Sequence, residues 1–157
     1  MTLPAKRWAQ EAIPVAAILL FWNVLSWLFT LDPAIGGTVR SAGTVMALLY
    51  VVVRGVVLAP SVSVPITGDV EPVLRENARV ALPAGAWFLA AAAVHLLDGI
   101  WETAGLPGLH VSPAGWMMSV LAGTGLGVVG LYAVAVGYST LSAAEASGVA
   151  PDASGDD

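Results

Sequence analysis

The chain contains no cysteine. Disulfide staples, thiolate nucleophiles and cysteine-ligated metal centres are therefore excluded. Charge is scarce too: ionised side chains make up 11% of the 157 residues, and Lys6 is the single lysine beside five arginines. With no basic stripe to neutralise phosphates, no nucleic-acid partner is expected. Histidine occurs twice, as His95 and His110. The HExxH, CxxCH, GxSxG, GxGxxG and Walker-type patterns are missing, and with them the zinc, haem, hydrolase and nucleotide chemistries that those spacings serve. The run Gly123-Thr124-Gly125-Leu126-Gly127 looks like a phosphate loop on paper, but it sits in an apolar stretch, follows no strand and has no lysine. No catalytic residue, metal ligand set or cofactor is expected.

What fills the sequence instead is hydrocarbon. Hydrophobic residues account for 57% of it, more than a soluble domain of this size can bury, so lipid is the expected solvent. A spanning helix needs about 20 mostly apolar residues, and four segments qualify: about 13–31, 42–59, 80–102 and 115–138. Turn signals separate them: Asp32-Pro33 with Gly36-Gly37, Pro60, and Gly105 with Pro107-Gly108. These segments predict an all-α, four-transmembrane-helix bundle over residues 1–141, followed by a disordered acidic tail over 142–157. The first segment follows Lys6-Arg7 as a signal peptide would. It is longer than a signal h-region, holds Trp22 and Trp27, and precedes no Ala-x-Ala site, so it reads as a retained helix.

The net charge of −5 comes largely from loops and the tail, through Glu145, Asp152, Asp156 and Asp157. Low lysine, acidic solvent-facing segments and heavy Ala, Val and Gly usage resemble the proteins of salt-adapted archaea. A high-GC bacterial gene with an acidic tail gives a similar composition. With the N-terminus inside, Lys6, Arg7, Arg54, Arg75 and Arg79 fall on or near the cytoplasmic side and Arg40 alone falls outside. This bias predicts a multi-pass protein of the cytoplasmic membrane with both termini cytoplasmic. Trp8, Trp101 and Trp116, near helix ends, suit an aromatic belt. In the connection from Pro60 to Arg79, Asp69 can cap a short helix whose Val70, Val73 and Leu74 rest on the membrane surface, and an irregular loop fits equally.

Helices in lipid are held by close packing and interhelical hydrogen bonds. Gly115, Ser119, Gly123 and Gly127 recur at four-residue spacing, and Gly130, Ala133 and Gly137 continue the stripe. This groove marks the fourth helix as a packing surface, for another helix of the chain or for a second protomer. Asn23, Ser26 and Thr30 share a face of the first helix. Asn23 lies near mid-membrane and is expected to face inward and bond a neighbouring helix. Arg54, five residues before the end of the second segment, can snorkel to the headgroups with Tyr50 as a stacking surface. Its other reading is an inward cation that binds an anionic lipid head or pairs with an acid in another span.

His95, Asp98 and Glu102 stand at i, i+3 and i+7 near the end of the third segment, within about 60° of one another around a helix axis. The trio suits a proton relay, a divalent-metal site completed by His110, or an outer cation vestibule. It equally suits a helix that ends in solvent, with His95 bonded to a backbone carbonyl or to Asn23. The expected role is non-enzymatic: an accessory or scaffold subunit that packs through its glycine-rich fourth helix, with the bilayer and a homo-oligomer or larger membrane complex as partners. The alternative is a small oligomeric ion or proton channel or transporter built on the His95, Asp98, Glu102 cluster. A membrane-embedded metalloenzyme at the same cluster is a third class.

Overall fold

The computed structural model describes residues 5–29, 32–62, 70–103 and 114–148. Four α-helices account for nearly all of them: α1 (Ala5–Leu28), α2 (Pro33–Leu58), α3 (Val70–Thr103) and α4 (Ala114–Gly148), with one 3-10 turn at Ala59–Ser61. All four are long and apolar enough to cross a bilayer, over Lys6–Leu28, Ala34–Ser61, Asn77–Ile100 and Ala114–Glu145. That is the make-up of a multi-pass membrane protein.

Every helix is longer than its apolar run. The hydrophobic criterion finds the part of a helix that lipid solvates, whereas the backbone stays helical through any good helix former beyond it. Thus α1 starts at Ala5 rather than Ile13. Likewise α3 starts at Val70, making the expected short surface helix its first turns, while Asp69 lies outside the described residues. The start of the tail is also corrected, while residues 149–157 lie outside the described residues. Residues 142–148 belong to α4, because Ser142-Ala143-Ala144-Glu145-Ala146 propagates a helix without needing an apolar face.

The α1–α2 connection shows why α2 begins so early. Asp32 is its N-cap, with Oδ1 accepting from Ala34 N at 3.1 Å and Ile35 N at 3.3 Å. Pro33 fills the first helical position, where no N–H is needed. Gly36 and Gly37, expected as turn residues, therefore lie within the helix. At Gly36 a Cβ would stand 3.2 Å from the Ser26 carbonyl oxygen, and Ser26 Oγ donates to the Gly36 carbonyl at 2.7 Å. The missing side chain lets the two helices meet this closely.

The helix directions follow from which residues oppose each other. Gly127 faces Val15 and Gly123 faces Leu19, so α1 and α4 run antiparallel. Gly130 faces Val51 and Gly55 faces Val134, so α2 and α4 run the same way. Helix α4 touches α1, α2 and α3, whereas α2 and α3 do not touch among the described residues. The core lies along α4, where Val128, Leu131 and Ala135 are fully buried with Trp8, Ala12 and Val15 of α1. Beyond it, large apolar side chains face outward all round, among them Leu49, Val53, Leu82, Leu89, Leu126 and Leu141. Such a surface is stable in hydrocarbon and a liability in water.

The glycine stripe of α4 divides in two. A Cβ on Gly127 would lie 2.6 Å from Val15, on Gly123 2.9 Å from Leu19, and on Gly130 3.0 Å from Val51. These three positions receive side chains of this same chain. At Gly115 and Gly137 a Cβ would meet nothing within 4 Å among the described residues, and Ser119 is exposed, its hydroxyl donating to the Gly115 carbonyl of its own helix at 2.9 Å.

Candidate functional site

The strongest concentration of chemistry lies where the start of α1 meets the end of α2. Alanine, tryptophan and valine bracket Glu11 on the inner face of α1: Trp8, Ala12 and Val15 are each at most 1% exposed. Glu11 shares that face and is only 9% exposed itself. A carboxylate so placed costs several kcal/mol in lost hydration unless it is paired and hydrogen-bonded. Arg54 of α2 supplies both. Its Nε donates to Glu11 Oε2 at 2.7 Å and its Nη2 donates to Oε1 at 2.6 Å. This is a two-pronged fork, the geometry in which an arginine–carboxylate pair is strongest. The arginine side chain remains 37% exposed against 10% for the glutamate, so the pair sits at the rim of the bundle with the acid inward and the cation outward.

Aromatic groups lie beside it on both helices. Trp8 packs edge-on against Tyr132 of α4, centroids 5.7 Å apart, and Tyr50, one turn from Arg54, is partly buried against the core. The Trp8 indole N–H is buried and has no acceptor among the described residues. Trp8 therefore does not serve an interfacial belt, as its place near a helix end had predicted. The helix continues past it, and the ring turns into the core.

Of the two readings of Arg54, the structure brings it to an acid in another span. The sequence reading missed the acid, because Glu11 precedes the apolar run at 13–31. The usable signal was Trp8, Glu11 and Val15 at i, i+3 and i+7, a carboxylate among inward apolar residues.

Asn23 is 5% exposed and faces inward. Its Nδ2 donates to the Leu19 carbonyl of its own helix at 2.8 Å, not to a neighbouring helix, and its Oδ1 is buried without a donor among the described residues. Ser26 makes the interhelical bond instead. Thr30 lies outside the described residues.

His95 is exposed on α3, directed away from the core, and forms no bond with Asn23. Asp98 is half-buried one turn further, and Glu102 follows on the last turn of α3. Spacing alone brings the three together on one stripe. His110 lies outside the described residues, and among those described no group of three His, Asp or Glu side chains is arranged to hold a metal.

Compared with protein-family profiles, with characterised proteins and with solved structures, the chain matches none.

Proposed function

We propose that this chain is a non-catalytic accessory or scaffold subunit of the cytoplasmic membrane, oriented with both termini inside. The observation that supports the reading most is the closed interior. The groove of α4 is filled by Val15, Leu19 and Val51, and the buried hydroxyls Ser26 and Thr124 bond to backbone carbonyls rather than line an aqueous path. What the bundle offers to its surroundings is apolar surface. Helix α3 offers the most, being the least buried of the four spans. Since Gly123, Gly127 and Gly130 are occupied within the chain, association falls to outward faces rather than to that stripe.

The test is gentle extraction after crosslinking in the native membrane. The expected result is a complex heavier than the monomer, retained after mild detergent. Monomer alone under both conditions overturns the reading.

A channel or transporter is the second reading, favoured by one observation: His95 faces outward with Asp98 one turn away, near the end of the α3 span. Proton or cation flux in liposomes that falls with His95→Ala and Asp98→Asn supports it. Unchanged flux removes it.

A further inference from the structure

The guanidinium of Arg54 has five N–H groups in a planar fork. Glu11 takes two of them along one edge, through Nε and Nη2, and three remain. Two of the three lie parallel along the end edge, a second fork matched to a pair of phosphate oxygens. Arg54 has no further hydrogen-bond partner among the described residues, and its 37% exposure is the only route to one.

Depth decides what can reach that edge. The α2 span of 28 residues is about 42 Å long, the thickness of a bilayer with its headgroups. Arg54 lies seven residues from its Ser61 end, or about 10 Å inward. With a hydrocarbon core of about 30 Å, that is about 4 Å below the headgroup layer, within an arginine's length of lipid phosphates. Bare N–H groups facing hydrocarbon there are costly. Glu11 holds the guanidinium in place, so it cannot swing freely to bulk water.

Charge selects the occupant further. Glu11 and Arg54 cancel, so the pair alone has little hold on an anion. Arg7, however, lies four residues before Glu11, within about 40° of it around α1 and about 6 Å nearer the helix start. It is exposed and has no partner among the described residues. Lys6 beside it is exposed as well. Two exposed cations thus lie within about two helical turns of a pre-set phosphate fork.

We propose that Arg54, held by Glu11 and assisted by Arg7, binds the phosphate of a lipid headgroup that carries net negative charge. The site does not depend on the scaffold role. A soluble phosphate ester shares the recognising chemistry, so the experiment separates the two sources.

Native mass spectrometry of the intact chain, titrated with phosphatidylglycerol, phosphatidylcholine or inorganic phosphate, reads the site directly. The chain is expected to retain one phosphatidylglycerol at about tenfold lower concentration than phosphatidylcholine. Arg7→Gln, an exposed change that leaves the Glu11–Arg54 fork intact, is expected to abolish that preference. Arg54→Lys keeps the charge but has no second fork, and is expected to weaken retention about tenfold. Equal retention of the two lipids by the unaltered chain overturns the proposal, as does unchanged retention in Arg7→Gln. Displacement of the lipid by millimolar inorganic phosphate overturns the lipid assignment, and failure to displace it supports that assignment. Complex size after crosslinking is read separately, so either proposal can fail alone.

Discussion

At the scale of single residues, the bond between Glu11 and Arg54 ties the start of α1 to the end of α2 across 43 positions of sequence. Its removal is asymmetric in consequence. Glu11→Ala leaves a cation at the bundle rim without its partner. A fully buried unpaired charge costs about 3–5 kcal/mol, and the 37% exposure of Arg54 lowers this to about 2 kcal/mol. The double change Glu11→Leu with Arg54→Leu removes both charges and is expected to recover most of that loss. Thermal unfolding of the three proteins in detergent, followed by tryptophan fluorescence, checks both statements. If the double variant is less stable than Glu11→Ala, the charge account of this site is wrong.

At the scale of helices, glycine separates packed faces from free ones. A Cβ at Gly43 of α2 would land on the Trp22 side chain of α1, whereas at Gly85 of α3 it would meet nothing within 4 Å. Gly43→Ala is therefore expected to destabilise by about 1–3 kcal/mol through overpacking. Gly85→Ala should be neutral or stabilising by up to about 1 kcal/mol, through helix propensity. The same melting assay distinguishes them, and a larger loss at Gly85 would reveal a partner on that face. The four helices were legible in the sequence because hydrocarbon imposes a length on any apolar crossing. Their ends were not, because alanine, serine and glutamate extend a helix without leaving an apolar mark, as at Ala5 and Glu145. Arg54 stood out in the sequence as a cation inside an apolar run. Glu11 did not, since only the antiparallel docking of α1 on α2 reveals that the two share a level. For Asn23 the inward direction was readable, but whether its amide reached another helix or its own depended on backbone distances that no spacing encodes.

At the scale of the whole molecule, four spans place Lys6 and Glu145 at the same end. The lack of native cysteine makes this directly measurable. Single cysteines introduced at exposed Lys6 and exposed Glu145 are expected to react together with a membrane-impermeant maleimide from one side of sealed vesicles, and not from the other. Opposite labelling of the two would mean an odd number of crossings. The missing contact between α2 and α3 bears on biogenesis. A ribosome delivers α4 after the other three, yet α4 packs against both of these helices and holds α3 far more extensively than α1 does. Until it emerges, α1 and α2 form a hairpin with an open seam, and α3 is held only through α1. Nascent chains halted before Ala114 should thus be degraded faster than full-length chains in a pulse-chase, and supplying α4 as a separate polypeptide should rescue them.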